Sequence, residues 1–374
     1  MKFVISSSVL SARLQMMGRV IAAKNTLPIL DCFLFETQGN VLKITASDNE
    51  TTLRTSIELP ECDADISFAA NAKTIQDAMK EIPEQPLEFF VNEQNHEITV
   101  EYHNGKYNFM CQPADEYPLP PALDADVTSI NVEPQHLLDA VTRTLIATGE
   151  DALRPVMNGI FFDIKEDGLT IVASDGHKLS CNKLLNTKAE KAGAFIVPKK
   201  PSTLLRNILN KTEEDVAINF DGRNAEIKTS DFEMTCRLIE GRFPNYASVI
   251  PKDNPNTITV NRESMIAVLR RVLIFSSAAS PSVKIRLEPS KMILTAQNTD
   301  FSMSAEESLI CDYAGSPLSI GFKGPFLLDL INNLQGEEII IRLADASRAG
   351  IILPAEQKEG EDVLMLLMPV MLND

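Results

Sequence analysis

One polar phrase occurs three times in this chain at a near-constant spacing, and that recurrence limits what the chain can fold into more than any other feature. "LKITASDNETTL" begins at Leu42, "LTIVASDGHKLS" at Leu169 and a weaker form, "KMILTAQNTDFSM", at Lys291. The alanines at 46, 173 and 296 lie about 125 residues apart, far above the period of a solenoid and right for a whole domain. The flanking segments repeat in the same order. Upstream of each phrase is a helical pattern: "SSSVLSARLQMMGRVIAAK", "EPQHLLDAVTRTLIAT" and "NRESMIAVLRRVLIFSS". In the first, Val9, Leu10, Leu14, Met17 and Ile21 follow the stripe of an amphipathic helix. Downstream, a strand runs into a second helix in "FAANAKTIQDAMKEI", "FIVPKKPSTLLRNIL" and "IGFKGPFLLDLINNL". The stretch "HEITVEYHNGKYNFMCQ" reads as a hairpin turning at Asn104–Gly105.

Each unit therefore reads as helix, strands, helix, strands, joined by tight turns with little room for parallel crossovers. That predicts an α+β fold with antiparallel sheet. Pro-rich joins near residues 120 and 250 place the units at 1–122, 123–252 and 253–374.

Composition narrows the function. The six cysteines stand singly with no C-x-x-C, which suits reduced thiols and neither a disulfide framework nor a zinc site. The four histidines are dispersed. No apolar run approaches the roughly 18 residues that cross a bilayer, and "MKFVISSSVLSARLQ" has no signal-peptide pattern. The reading is a cytoplasmic protein with no membrane partner, no cofactor and no metal. Asp175 and His177 resemble an acid–base pair, and a nucleotide hydrolase built on them would lose turnover in His177→Ala. No G-x-S-x-G or equivalent supplies a nucleophile, so the phrase reads as a strand entering a turn, with no catalytic residue assigned.

The net charge of −17 argues against a nucleic-acid partner only if charge is spread evenly. It is not. The helical segments 7–24, 71–80, 133–148, 198–211, 261–277 and 323–334 hold fourteen Lys or Arg against five Asp or Glu, a net +9, which leaves −26 for the rest. Basic helix faces without an aromatic platform suit phosphate contacts rather than base reading. A domain of this size is roughly 36 Å across. Three in a closed triangle leave a hole of about 6 Å and six in a hexagon about 36 Å, by the same estimate. A duplex about 20 Å wide passes only through the second. Two chains on a two-fold axis supply six domains.

The phrases "MKFVI" (1–5), "NTLPIL" (25–30), "NGIFFD" (158–163), "ASDGHKL" (173–179), "GRFPNY" (241–246) and "MPVML" (368–372), in this order and spacing, resemble the bacterial DNA polymerase III beta subunit family, the sliding clamps. The resemblance spans essentially the whole chain. It implies three clamp domains, each with two helices and antiparallel sheets, and a head-to-tail homodimer that closes a six-domain ring. It also implies a non-catalytic processivity factor that encircles duplex DNA without sequence preference. The expected partners are double-stranded DNA, a second copy of the chain, the catalytic subunit of a replicative polymerase, an ATP-dependent clamp loader, and other replication and repair proteins that dock through short peptides. The chain has no G-x-x-x-x-G-K-[ST], so ATP-driven opening must come from the loader. The alternative is a DNA-binding scaffold or repair adaptor that does not encircle.

By the same resemblance a peptide pocket maps to Arg154, Met157, Ser174, Gly176, His177, Lys178, Leu179, Pro244, Val249, Met368, Pro369, Val370, Met371 and Leu372. Gly176 permits a sharp turn, Asp175 satisfies its backbone donors, and His177, Lys178 and Leu179 are expected at the lip. Pro369 cannot donate to a sheet ladder, and the methionines beside it offer an adaptable apolar surface. Ser248 and Met371 stand where the family often has basic residues. The DNA contacts map to Lys24, Lys73 and Arg154, joined by Lys200 and Arg206 on the second helix of the middle unit. The dimer contact is expected to join Tyr107 and Phe109, on an edge strand of the first unit, to Ile274 and Phe275 of the third.

Overall fold

Six times along the chain a strand runs without a loop into a helix. The computed structural model, which describes residues 1–124, 126–189 and 191–371, places α1 at Ser7–Met17, α2 at Ala72–Lys80, α3 at Pro134–Leu145, α4 at Lys199–Leu209, α5 at Arg262–Leu273 and α6 at Gly324–Asn332. The strands Lys2–Ser6, Ser67–Asn71, Thr128–Val132, Gly193–Pro198, Asn256–Asn261 and Leu318–Lys323 lead into them. The handover is set by capping. Ser6, Asn71 and Asn261 are still extended, and each side chain accepts the amide of the third residue on, which ends the ladder and starts the helix. Two such strand–helix pairs per repeat give three repeats of mixed helix and antiparallel sheet.

The chain divides into two compact units, Met1–Pro134 with Thr203–Leu238 and Gln135–Ser202 with Ile239–Asp374. The first is built on a thirteen-stranded sheet. Within it the strand Thr51–Glu58 of the first repeat pairs with Phe232–Arg237 of the second, from Thr51 opposite Cys236 to Thr55 opposite Phe232. Phe3, Phe33, Phe35 and Phe89 are fully buried there, each contributing roughly 2–3 kcal/mol of transfer free energy. The second unit holds an eight-stranded and a five-stranded sheet. In the eight-stranded sheet Lys178–Leu184 of the second repeat pairs with Glu361–Leu367 of the third. Beneath the five-stranded sheet α5 and α6 bury Met265, Leu269, Leu327 and Leu330.

Several expectations change. α1 stops at Met17, so Arg19 and Lys24 lie beyond it. Val9 is 40% exposed, because the buried face runs through Ser7, Leu10, Leu14 and Met17. Lys323 caps α6 and lies outside it. The hairpin turns at His103–Asn104, since Tyr102 already pairs with Gly105. Gly105 packs under Tyr102, whose ring would have to shift to admit a Cβ there. The largest change concerns charge. Arg143 is buried in ion pairs with Asp139 and Glu361 and offers nothing to a polyanion. Arg13 pairs with Asp231, Arg262 with Glu263 and Arg271 with Glu307, so the helical excess of positive charge is partly neutralised by neighbours.

Candidate functional site

The turn after Gly168–Ser174 answers the question that Asp175 and His177 raise. Oδ1 of Asp175 accepts the amides of His177 and Lys178, both at 2.8 Å. Ser174 Oγ donates to the Lys178 carbonyl at 2.9 Å and accepts from the Gly176 amide at 3.2 Å. The aspartate is thus occupied in holding backbone. The first repeat builds the same turn, with Asp48 Oδ1 accepting from Glu50 and Thr51 and Asn49 at φ 79° where Gly176 has 89°. Asp221 and Asp345 hold their own turns in this way. At its first two occurrences the phrase is a turn device; at the third, Asn298 leads into the short helix Thr299–Phe301 instead.

What the turn presents differs from expectation in two residues. Gly176 and His177 are exposed, whereas Lys178 and Leu179 are buried. Strand alternation sends the Lys178 side chain inward, where its Nζ stands 3.7 Å from an Asp175 carboxylate oxygen and 3.9 Å from the centre of the Phe326 ring. Leu179 joins an apolar cluster with Val172, Ile196, Phe243, Ala349 and Leu366, against which Val156, Phe161, Ile239 and Tyr246 pack. Phe161 stacks on Phe243 at 4.7 Å, and the Tyr246 hydroxyl donates to Asp163 at 2.7 Å. Burial, reinforced by that carboxylate, pushes the Tyr246 phenol well above its usual range.

Around this floor stand the other expected residues. Arg154 is exposed, ion-pairs with Asp151 at 2.9 Å and reaches the Asp175 carbonyl at 3.5 Å. The hydrogen bond from Arg154 and the Leu153 amide hold the Asp151 carboxyl below its usual range. Met157 is buried in the short helix Pro155–Met157. Pro244 and Val249 are exposed on either side of the one-turn helix Tyr246–Ser248, whose Ser248 Oγ donates to the Asn245 carbonyl. Val363, Met365, Leu366 and Leu367 are buried, and then the chain leaves the eight-stranded sheet. The Met368 amide donates to the His177 carbonyl at 2.8 Å, and Pro369–Val370 pair with Phe322 and Gly321 at the edge of the five-stranded sheet. Met368 and Met371 are exposed. Leu372 lies outside the described residues. The rim is therefore apolar, and its nearby charges, Arg154 with Asp151 and Lys178 with Asp175, are paired off. Nothing in it supplies an activated nucleophile, and no group of three or more potential metal ligands occurs among the described residues.

Residue reading missed the floor, although Phe161 lies in "NGIFFD" and Phe243 and Tyr246 in "GRFPNY". Alternation along Gly159–Lys165 is the signal that could have placed Phe161 opposite Phe162. Of the other candidates, Lys24, Lys73 and Lys200 are exposed and Arg206 is half-buried on α4. Tyr107 and Phe109 lie on Gly105–Gln112. Residues 105–110 of that strand pair on one side with Glu97–Tyr102, and on the other side, among the described residues, only Cys111 and Gln112 meet a strand. Ile274 is 73% exposed, and Phe275 is exposed beside it. The strand Met303–Ile310 forms one edge of the five-stranded sheet. No helix among the described residues is long and apolar enough to cross a membrane.

Three family models match in succession: the N-terminal domain of the DNA polymerase III beta subunit over residues 1–121, its central domain over 131–245 and its C-terminal domain over 247–370. The beta sliding clamp of Pseudomonas putida is 27% identical over 367 residues, covering 98% of this chain and 99% of its own. That of Vibrio cholerae is 26% identical over 373 residues, with both chains fully covered. Among solved structures, the DNA polymerase III beta subunit of Thermotoga maritima aligns over both whole chains with a TM-score of 0.91 and 25% identity. A Pseudomonas aeruginosa clamp bound to griselimycin does so at 0.93 and 24%. Three consecutive domain matches over nearly the full length, on three repeats that share one strand-to-helix plan, place this chain in the DNA polymerase III beta subunit family.

Proposed function

We propose that this chain is the sliding clamp of a replicative DNA polymerase, a non-catalytic subunit that confers processivity by encircling duplex DNA as a homodimer. The observation that carries the ring is a pairing rule. Thr51–Glu58, Lys178–Leu184 and Met303–Ile310 recur at the repeat period, as do Gly105–Gln112, Phe232–Arg237 and Glu361–Leu367. The first set joins the second twice within the chain, at Thr51–Glu58 with Phe232–Arg237 and at Lys178–Leu184 with Glu361–Leu367. Met303–Ile310 of the last repeat and residues 105–110 of the first are left as edges. A second copy satisfies both at once, head to tail, and two such contacts close six repeats. Ile274 and Phe275 next to one edge, and Tyr107 and Phe109 on the other, then become buried contacts.

Lys24, Lys73, Lys200 and Arg206 supply phosphate contacts that are weak, salt-sensitive and blind to sequence, which is what a tether that must slide needs. Arg154 belongs first to the groove. The groove over Phe161, Leu179, Phe243 and Leu366 takes short peptides with apolar anchors from the polymerase, a clamp loader and other replication or repair proteins. The test is topological. Protein loaded on nicked circular DNA stays bound after dilution and is lost when the circle is linearised. Equal retention on both forms would establish the non-encircling scaffold instead.

A further inference from the structure

We propose that Arg143 and Glu361 are positioning residues for the docking groove: their buried contact fixes the register between Lys178–Leu184 and Glu361–Leu367, and so sets where Met368 stands relative to His177. The inference rests on reading that groove as the docking site.

The need for such a device lies in the strand itself. "EDVLMLL", Glu361–Leu367, is apolar from Val363 onward. A slip of one residue would turn its faces over, but a slip of two keeps parity: Val363 takes the place of Glu361, Met365 that of Val363, Leu367 that of Met365 and Pro369 that of Leu367. Hydrophobic burial barely resists that slip. It would nevertheless move Met368 roughly 7 Å along His177 and take both lips of the groove out of line.

Glu361 is the residue that resists it. It stands opposite Leu184 at one end of the pairing, while the groove residues Lys178 and Met368 stand at the other. Its Oε2 accepts from Arg143 Nη1 at 2.9 Å, with both side chains almost wholly buried. Arg143 also reaches Asn182 on the facing strand and Asp139 one turn back on α3. Lys358 and Gln335 of the third repeat close the cluster on Asp139. After a slip of two, Val363 would face the guanidinium and Glu361 would be left buried without its cation, a strongly unfavourable arrangement. A buried polar contact of this kind selects one register from several that apolar packing tolerates. Gln357 grips the Val363 backbone, but it belongs to the same repeat as the strand and leaves pairing across the repeats unspecified.

The other junction within the chain has a more exposed counterpart. Arg13 of α1 pairs with Asp231, the residue before Phe232–Arg237, and its guanidinium lies 5.1 Å over the Phe232 ring. Thr55 adds a hydrogen bond to the Asp231 carbonyl at 2.8 Å. In both cases the first helix of a repeat holds the start of the strand arriving from the next.

Register can be read directly in the full-length protein, without any partner. In a Cys181→Ala background, Lys183→Cys with Asp362→Cys reports the native pairing, because these residues stand opposite each other. Lys183→Cys with Leu364→Cys reports the slip. Directly opposed positions are about 4.5–5.5 Å apart at Cα, within disulfide range. With Arg143 and Glu361 present, only the native pair cross-links. Adding Arg143→Met and Glu361→Leu together, which removes both charges, raises the slipped-to-native ratio by roughly tenfold or more, the scale of a buried pair that favours one arrangement. An unchanged ratio in the folded double variant overturns the proposal. Should that variant fail to fold, Glu361→Gln is read in the same way: a raised ratio supports the register role and an unchanged one overturns it. Stimulation of the polymerase is measured separately. Slipped register with full stimulation would leave the register role standing and remove the groove as the docking site.

Discussion

The backbone amide of Met368 donates to the carbonyl of His177 across 2.8 Å, and through that bond residues almost two hundred positions apart become the two sides of one groove. His177 belongs to the second repeat and Met368 to the third, so neither repeat alone contains the proposed site. An apolar floor, a turn held by Asp175 and a segment edged by methionines make up the groove proposed above for short peptides.

His177→Ala is expected to weaken polymerase stimulation several-fold while leaving retention on nicked circles unchanged. The side chain is exposed and carries little packing, so stability should change by no more than about 0.5 kcal/mol. Stimulation assays and retention measured on the same preparation check this; a strong hydrolase activity lost in the variant would overturn the non-catalytic reading.

Gly176→Ala tests the turn. With φ at 89°, and an added Cβ at 2.9 Å from Arg154 Nη1, the substitution costs about 1 kcal/mol or more and displaces the Arg154 guanidinium. Thermal melts should show the loss, and partner docking should weaken along with it.

Ile274→Asp and Phe275→Asp place charge on the surface proposed to meet a second copy. The expected result is a monomer by light scattering, with little change in chain stability because both side chains are already exposed. A persistent dimer would move the subunit contact elsewhere.

Lys24→Glu and Lys73→Glu should shorten residence on nicked circles at low salt, with the difference from the parent shrinking as salt rises. Retention lifetimes across a salt series measure this. An effect independent of salt would point away from phosphate contact.

Acid should loosen the cluster around Arg143. Burial by itself would raise the Asp139 carboxyl, but the hydrogen bond from Lys358 and the charge of Arg143 outweigh it and hold the group below its usual value. The folded pKa is thus depressed, so the stability it contributes is complete above the unfolded value of about 3.9 and is lost as pH falls through the folded one. Asp139→Asn should cost about 2 kcal/mol at neutral pH, with the deficit narrowing below about pH 4. Denaturation at several pH values gives both numbers.

Much of this was legible in the residues. Spacing of the A-S-D phrase gave the threefold repeat, and the helical segments read as starting at 71 and 261 begin within one residue of those positions. Two kinds of feature escaped. Charge counted along the sequence took Arg143 for a surface cation, because only tertiary packing reveals Glu361, more than two hundred residues away, as its partner. Lys178 was placed at the lip because residue type suggests water; strand parity and the Phe326 ring send it inward. The helix end at Met17 was equally hidden, since the apolar spacing continues through Ile21 while the backbone turns at Gly18.

The two compact units divide within the middle repeat: residues 131–134 and 203–238 fall in one, and 135–202 and 239–245 in the other. A fragment cut at a repeat boundary would therefore carry away strands whose hydrogen-bonding neighbours stay behind. The repeats of the sequence and the compact units of the structure therefore do not coincide, and the middle third is shared between its neighbours rather than standing as a module that could be lifted out.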